Sequence, residues 1–522
     1  MARRHGKLSK GCQTCRKRKI KLSCLCDEVM PACNQCLKAG WKCPQYGDSL
    51  ERMFQYSDVR DFENSAHNEP LKSKERASCM IYGPLIFKSQ PPPIILSKEI
   101  SNTINDRAID FFLSTHIFRD SGPVKGYYEY LFFHRNDPNL NHTLYTTITA
   151  VSLAAYAYAF KYPFLLQKAT QSFGYALHLV NKALTSIEEA TKYYTIISVA
   201  LFNTFGVLTC QNLDTLMDCD RHISGATCML KLRGLRQMET RHGLQLFLQM
   251  NSILLQSCIW HSFRVPDDLI ELQKHAAGFL DANDPAWKLN DLIVELTTFR
   301  ADIKDGILLE SSSIIRAAID LDIKFSSLAS EMSRSPPWHY NSIPIVSTSG
   351  TIFGTRYHVY SDLWVTQIWN YFRTCRIFIY EEIGRQFKEG QFIHPIASMD
   401  YCLWFTTLQE MIDDICASLP QYYGDAPKVH TSSGISGSPD QNFITGPLSI
   451  SVVPHIAGTY FLLWPLLNSG RMTISNLQRD WIIGRCRVLG DKTGIQQMFT
   501  LADVLEKREM FPVYESCLAN NI

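Results

Sequence analysis

Residues 11–43 read GCQTCRKRKIKLSCLCDEVMPACNQCLKAGWKC and hold seven of the seventeen cysteines of the chain. They include two Cys-x-x-Cys pairs, Cys12–Cys15 and Cys33–Cys36. Such a pair lets two thiolates reach one ion from a single tight turn, and zinc takes four such ligands tetrahedrally. Doubled pairs at this density are far more typical of a metal site than of a redox dithiol. Because so short a segment has almost no hydrophobic core, the stretch predicts a small module folded around zinc.

This cysteine pattern resembles the six-cysteine binuclear zinc cluster of fungal transcription regulators. The family pattern is C-x2-C-x6-C, a short loop, and then C-x2-C-x6-8-C. The resemblance implies two Zn²⁺ ions as cofactors, held by Cys12, Cys15, Cys26, Cys33, Cys36 and Cys43. In that arrangement Cys12 and Cys33 each bridge both ions, and two further ligands complete each site.

The spacing between the second and third ligands departs from the family pattern. Ten residues separate Cys15 from Cys26, whereas the family has six, so Leu22–Leu25 is extra. The competing third ligand is Cys24, which leaves eight residues on each side. The local sequence favours Cys26, because the stretch from Cys26 to Cys33 is the family's loop as it stands.

A basic run directly follows the second cysteine and supplies the candidate DNA contacts Arg16, Lys17, Arg18, Lys19 and Lys21. A short helix anchored by metal ligands can enter the major groove end-on. By the resemblance, Arg18 and Lys19 reach the bases of a CGG triplet, whose guanines present two acceptors each. The other three are better placed for phosphates, which give affinity without sequence information. A solvated face or a nuclear-import signal is the alternative interpretation of the run.

Charge is unevenly distributed along the chain. Residues 1–45 hold eleven Lys and Arg against Asp27 and Glu28, a net charge of +9, and the remaining residues carry −7. A small basic head on a mildly acidic body indicates that the head binds a polyanion. Double-stranded DNA is therefore the expected partner, together with the transcription machinery, and the nucleus is the expected location.

Composition and periodicity predict three segments: a cysteine-rich head at residues 1–46, a polar linker at 47–95, and a body at 96–522. By the resemblance, the head is a zinc-cluster DNA-binding domain. A heptad register started at Leu50 fails at once, so no coiled coil follows the head and the oligomeric state stays open. The body is rich in helical patterns and poor in strand patterns. The predicted fold class is thus mostly α: a small zinc-cluster module, a linker and a large all-helical regulatory domain.

Parts of the body resemble the fungal-specific transcription factor domain, an all-helical domain that follows zinc clusters in many such regulators. The similar stretches are Ile104–Ser114, Tyr175–Leu184 and His222–Phe247. His222, Arg233 and Gly234 stand at recognisable positions there. We interpret them as structural, namely a packed or capping histidine, a surface arginine and a helix-ending glycine.

Helices are predicted over Lys168–Glu189, Asp220–Gly234, Gly243–His261 and Arg356–Glu382, with loops at Ser333–Gly350 and Gly424–Pro447. In the first of these, apolar residues from Ala169 to Ile187 form one stripe. Three uncharged stretches, at 143–160, 193–213 and 447–470, contain polar residues or prolines. They are predicted to be buried core segments, so no membrane association is expected.

No enzyme signature is present in the body: it has no HExxH, P-loop, GxGxxG or GxSxG motif. The ten cysteines of the chain that lie outside the head are scattered singly, as is typical of buried core thiols. A transcription regulator without catalytic residues is therefore the leading hypothesis, with control of a metabolic or secondary-metabolite gene cluster implied by the resemblance. The rivals are a regulator whose cluster is broken by the insertion and acts through protein partners, and a helical enzyme or ligand sensor.

Overall fold

The computed structural model describes residues 38, 103–118, 128–134, 140–211, 228–345, 350–389, 395–423 and 456–508. The chain divides into two units after Ser101, and every described residue except Lys38 belongs to the second unit, Asn102–Ile522. The described part of that unit consists of helices and two short strands, which confirms the mostly α fold class. The boundaries predicted at residues 46 and 95 lie outside the described residues and stay predictions.

The N-terminal part of the unit contains α1 (Ile104–Thr115), α2 (His142–Ala159), α3 (Pro163–Ala183), α4 (Ile187–Ala190) and α5 (Tyr193–Thr209). A short 3-10 segment, Glu129–His134, precedes α2. α1 begins at a capping box, in which Thr103 Oγ1 accepts from the Asp106 N–H and the Thr103 N–H donates to Asp106 Oδ2. α2 packs against α1, α3 and α5, so it forms the centre of this part.

The larger C-terminal part contains α6 (Arg241–His261), α7 (Asp267–Ala276), α8 (Pro285–Lys304), α9 (Ser311–Arg334), α10 (Leu363–Glu389), α11 (Pro395–Tyr423), α12 (Ile456–Thr459), α13 (Leu463–Met472), α14 (Asn476–Thr493) and α15 (Gln497–Glu506). α10 lies at its centre and packs against α8, α9, α11 and α13. The two parts meet where Thr500 Oγ1 of α15 donates to the carbonyl of Cys210 at 3.2 Å. The predicted helix Gly243–His261 is confirmed by α6.

A two-stranded antiparallel sheet precedes α10. β1 (Asn341–Pro344) pairs with β2 (Arg356–Val359), with Asn341 opposite Val359. The predicted helix from Arg356 was therefore wrong over its first residues, and α10 starts at Leu363. β2 buries its two central side chains and packs against α11, so tertiary packing sets its extended conformation. β1 likewise lies inside a stretch that was predicted to be loop.

The helix predicted over Lys168–Glu189 is broken into α3 and α4. Its inward stripe is confirmed at Ala169, Ala176 and Val180, which are fully buried. The helix ends at Ala183, however, and Ile187 begins α4 with 71% of its surface exposed. The Thr185 hydroxyl donates to the carbonyl of Lys182 at 2.8 Å, and such local bonds compete with continuation of a helix.

Two of the three uncharged stretches are confirmed as buried core. α2 and α5 each bury most of their residues, and several hydroxyl groups within them donate to carbonyls of their own helix. In α2, for example, the Thr146, Thr147 and Thr149 hydroxyls each donate to the carbonyl four residues earlier at 2.8 Å. In the third stretch, the described segment is buried from Leu462 to Leu467 except for Trp464. None of the described helices is long and apolar enough to span a membrane.

Gly234 ends the helical segment at residues 228–233, as predicted. Its φ of +69° lies in the left-handed region, which glycine adopts without strain, and its N–H donates to the carbonyl of Lys231 at 3.0 Å. Arg233 was expected at the surface but is half-buried, with its guanidinium 5.7 Å from the ring centre of Tyr193. Arg233 and Gly234 therefore have structural roles. His222 lies outside the described residues.

Candidate zinc and nucleic-acid site

All predicted site residues lie outside the described residues. They are the zinc ligands Cys12, Cys15, Cys26, Cys33, Cys36 and Cys43 and the DNA contacts Arg16, Lys17, Arg18, Lys19 and Lys21. Lys38, the described residue of the head, is helical and has an exposed side chain. Its exposure is what a solvated basic surface requires.

The chemistry of the donor set in the head fits two zinc ions. Thiolates are preferred zinc ligands, and six of them with two Zn²⁺ carry a net charge of −2. The basic residues of the head outnumber its acidic residues by nine, so a loaded cluster would still present a basic surface. The head therefore has thiols of the type that zinc prefers and a net charge that suits a nucleic acid.

The thiols of the helical body have a different environment. Cys210, Cys258, Cys375, Cys416 and Cys486 are buried, which confirms the prediction for these five, whereas Cys228 is exposed. Burial raises the pKa of Cys375 and Cys416 far above that of a free thiol, and raises that of Cys486 to about 12. Because zinc binds the thiolate, these thiols are poor ligands. In the described part of the chain, no group of three or more His, Cys, Asp or Glu could hold a metal ion.

Asp414 of α11 is the centre of a partly buried charge cluster in the body. Its Oδ1 lies 3.0 Å from Arg356 Nη2 and 3.6 Å from His358 Nε2, and its Oδ2 lies 3.4 Å from Arg373 Nη2. The Arg373 side chain is 1% exposed, and its Nη1 donates to the Tyr360 hydroxyl at 2.7 Å. The cluster thus joins the small sheet to α10 and α11.

His358 is held neutral in this cluster. Burial lowers the pKa of His358 to about 4, and the nearby charges of Arg373 and Arg356 also lower it. Asp414 opposes them but does not compensate. Because the neutral ring accepts or donates one hydrogen bond at each nitrogen, His358 Nδ1 pairs with the Tyr360 hydroxyl at 3.2 Å without a charge.

A second buried cluster pairs arginines with Glu381 and Glu382 of α10. Arg471 Nη2 of α13 donates to Glu381 Oε1 at 2.8 Å, and Arg300 Nη1 of α8 lies 2.9 Å from Glu382 Oε1. Burial alone would raise the pKa of Glu381, but Arg471, Arg300 and Arg385 together lower it below its usual value. The cluster therefore contains ionised groups that hold three helices together.

The cavity beside this second cluster is small. It lies between α6, α10 and α13 and is lined by residues that include Trp260, Tyr371, Phe378, Trp464, Gln256 and Asn468. Its volume of about 10 Å³ is the room of a single water molecule. The charges around it therefore serve helix packing, and the cavity is too small for an organic substrate or effector.

Sequence reasoning missed both charge clusters. The available signal was the presence of Arg373, Arg376, Glu381 and Glu382 within the aromatic stretch that became α10. Charged residues inside an otherwise apolar helix are buried in pairs, but the sequence does not say which partners they find. Their partners come from helices 40 to 90 residues away.

Comparison with known proteins assigns the head. The model of the fungal Zn(2)-Cys(6) binuclear cluster domain matches residues 10–53. No curated protein and no solved structure matches the chain. The match contains every predicted zinc ligand and every predicted DNA contact, and the family binds two zinc ions through six cysteines. Residues 10–53 therefore match the fungal Zn(2)-Cys(6) binuclear cluster domain, and this match supports a fungal zinc-cluster DNA-binding transcription regulator.

Proposed function

We propose that this chain is a nuclear regulator of RNA polymerase II transcription that reads DNA sites containing a CGG triplet. The observation that carries the proposal is the zinc-cluster match at residues 10–53, which includes a basic run directly after the second cysteine. Zinc folds the head, and the folded head presents the run to the major groove. The two ions act structurally and take no part in a reaction.

In the proposed cluster, Cys26 and not Cys24 is the third ligand. Removal of Leu22–Leu25 regenerates an unbroken family motif in which Lys21 stands next to Cys26. The Asp-Glu that follows Cys26 and the proline two residues before Cys33 complete the family's loop. The four extra residues then form a bulge or an extra turn outside the metal shell.

The basic run divides into two roles in this proposal. Arg18 and Lys19 donate to the guanine O6 and N7 atoms of the triplet, because guanine alone presents two acceptors side by side in the major groove. Arg16, Lys17 and Lys21 pair with phosphates and fix the orientation of the head. Specificity therefore depends on two side chains, and affinity depends on all five.

The helical body is the proposed regulatory part and the contact to the transcription machinery. We assign residues 96–522 to the fungal-specific transcription factor domain from the stretches that resemble it. The buried residues of the body support a packing role, since their charges are paired within the protein and the cavity beside Glu381 admits only water. A non-enzymatic role, such as control of a metabolic or secondary-metabolite gene cluster, agrees with this.

A second candidate function is favoured by the spacing itself. Ten residues between Cys15 and Cys26 exceed the family's six, and zinc–sulfur distances tolerate only about 0.2 Å of error. If the insertion prevents the first zinc site from forming, the head would not read DNA and the chain would act through protein partners.

A gel-shift experiment with the zinc-loaded full chain distinguishes the two candidates. The probe is a duplex with one CGG triplet in random flanks, and its matched control replaces the triplet by AAA. The proposal expects binding to the CGG duplex that resists an excess of control duplex and is lost when a chelator removes zinc. Equal affinity for both duplexes, or no binding, would overturn the DNA-reading function and favour the protein-partner candidate.

A further inference from the structure

A surface cleft of the helical body lies beside α7. One wall is formed by the helical segment at residues 228–233 and the 3-10 segment Leu235–Glu239 that follows it, and the other wall is formed by α7. The volume of the cleft is about 550 Å³, whereas the cavity beside Glu381 has about 10 Å³. The cleft is therefore large enough to receive side chains of another molecule.

The centre of the cleft is apolar. Leu272 of α7 is 5% exposed, and Leu232 and Leu235 on the facing wall are 56% and 40% exposed. Between these two leucines the wall is the main chain of Gly234. Apart from its neighbours in the chain, no heavy atom of the described residues lies within 4 Å of the point where a Cβ of Gly234 would stand. An apolar side chain that enters here can contact three leucines and the open main chain.

The charged residues that line the cleft include two carboxylates and one ammonium group. Lys231 Nζ lies 2.7 Å from Asp268 Oδ2, so this lysine is already paired. Glu271 is exposed and has no ion-pair partner among the residues that the structure describes. Asp267, which is also exposed, lies on the same face of α7, four residues before Glu271. The α7 side of the cleft is therefore negative, and Glu271 is available to pair with a cation.

The surroundings of the cleft in the sequence have the same sign of charge. Residues 264–310 run from the turn before α7 to the start of α9 and hold ten acidic and five basic residues, a net charge of −5. Such a surface attracts basic partners and repels acidic ones, because complementary charge favours the encounter and opposes wrong pairings. Charge complementarity therefore selects a basic occupant.

Two observations favour a segment of a partner protein over a small organic molecule. Leu232 and Leu235 are about half exposed, so the cleft is open on that wall, whereas small-molecule sites enclose most of their ligand. Exposed charges also surround the apolar centre: the side chain of Asp268 is 69% exposed, and Glu271 is exposed as well. An apolar centre with a charged, solvated rim is the usual arrangement of a protein interface.

We propose that this cleft docks a segment of a partner protein in which large aliphatic side chains are flanked by lysine or arginine. The aliphatic side chains contact Leu232, Leu235 and Leu272, and a basic side chain pairs with Glu271. The apolar contact supplies most of the affinity, since exposed ion pairs contribute little, and the charge selects the partner. The inference rests on the proposed role of the body as a protein-contacting domain and names the chemistry of its partner.

Fluorescence anisotropy with the zinc-loaded full chain and four labelled ten-residue peptides tests the proposal. Each peptide has two central leucines or two central serines, flanked on both sides by two lysines or by two glutamates in a Gly-Ser frame. The leucine–lysine peptide is expected to bind at least about tenfold more tightly than each of the other three. No DNA is present, so a failure here leaves the DNA-reading proposal unaffected.

Four variants place the binding in the cleft. Leu232→Ser should weaken the leucine–lysine peptide about tenfold, whereas Leu477→Ser, on a leucine of α14 that is 75% exposed, should leave it unchanged. Glu271→Lys should weaken this peptide about fivefold and strengthen the leucine–glutamate peptide, because the sign of the free charge is reversed. Asp305→Lys makes the same change of charge at an exposed residue directly after α8 and should alter neither.

Far-UV circular dichroism checks that each variant is folded, which is expected because all four side chains are exposed. Equal binding of the leucine–lysine and serine–lysine peptides, or equal effects of Glu271→Lys and Asp305→Lys, would overturn the proposal, since binding would then depend on overall charge alone. Hexylamine carries an alkyl chain and an ammonium group without a peptide backbone. If it displaces the peptide at an equal or lower concentration, the occupant is a small amine and the proposal is wrong.

Discussion

Arg376 of α10 binds Asp322 of α9 through two parallel contacts, with Nε 2.6 Å from Oδ1 and Nη2 2.8 Å from Oδ2. The Tyr380 hydroxyl adds a hydrogen bond to Oδ2 at 3.0 Å. The two ionic side chains are only 10% and 16% exposed. Bidentate geometry at a nearly buried site makes this pair a specific connection between α9 and α10, the helix at the centre of the body.

We expect Asp322→Ala to lower the free energy of unfolding by about 2–4 kcal/mol, because Arg376 is then left nearly buried and unpaired. Urea unfolding followed by far-UV circular dichroism measures the change. The matched control is Asp491→Ala, which removes an ion pair with Lys161 whose side chains are 75% and 64% exposed. That change should cost less than about 1 kcal/mol. Equal losses in the two variants would contradict the structural role of the buried pair.

The stability of the body should fall between about pH 6.5 and pH 4, and His358 is one cause. Its pKa is about 4 in the folded protein, whereas an unfolded histidine titrates near 6.5. Since the folded pKa is lowered, the unfolded state binds the proton first as the pH falls. The contribution of neutral, buried His358 to the free energy of unfolding is fully present above pH 6.5. It falls by about 1.4 kcal/mol per pH unit as the pH is lowered toward 4.

His358→Gln should remove this contribution to the pH dependence, whatever it does to stability at neutral pH. The measurement is the free energy of unfolding at half-unit steps from pH 6.5 to pH 5. His116 provides a parallel case, because burial lowers its pKa to about 3. His116→Gln should reduce the slope by a similar amount, and the double variant should lose both contributions. A slope that His358→Gln leaves unchanged would show that this histidine takes up protons equally in the folded and unfolded states.

The sequence predicted the helical class and the buried cores of α2 and α5, because apolar patterning over a long segment reports burial directly. It failed where local and tertiary preferences compete. Arg356–Val359 lies next to a strongly helical stretch, yet its pairing with Asn341–Pro344 makes it a strand. Ile187 has the spacing that would continue the apolar stripe of α3, but α3 ends at Ala183, before Thr185 and Ser186.

The buried charges were beyond prediction for a different reason. The partner of Arg373 is 41 positions away, and the partner of Arg471 is 90 positions away, so pairing depends on how the helices assemble. The predicted zinc ligands differ, because they lie close together in the sequence. Their spacing within residues 12–43 carries the chemistry, and for that reason the cluster family could be identified from the sequence without any long-range contact.

The basic run should divide into base-reading and phosphate-binding side chains. Arg18→Ala and Lys19→Ala should each cost about 1–3 kcal/mol on a CGG duplex and little on random DNA, because they lose guanine contacts. Lys17→Ala should weaken both complexes alike and lower the slope of affinity against salt by about one ion. Titrations by fluorescence anisotropy at several salt concentrations measure all three. Equal losses on both duplexes for all three variants would contradict these roles.

The choice of third zinc ligand depends on how the head absorbs four extra residues. In a helix, four residues add about 400° of rotation and about 6 Å of rise. The direction of the chain is therefore nearly kept, whereas the 6 Å has to be taken up by a bulge or an extra turn. The backbone must make this adjustment, because the zinc–sulfur distances cannot. A ligand placed after the insertion, at Cys26, keeps the six-residue spacing to Cys33 intact.

Cys26→Ser should therefore lose zinc and DNA binding, whereas Cys24→Ser should keep two zinc ions and full affinity for the CGG duplex. Native mass spectrometry of the full chain counts the ions, and the gel shift reads the affinity. Deletion of residues 22–25, which removes Cys24 with the insertion, should bind DNA at least as well as the wild type, since the strain of the extra turn is gone. Loss of zinc in Cys24→Ser with retention in Cys26→Ser would make Cys24 the ligand, and weaker binding by the deletion variant would give the insertion a function of its own.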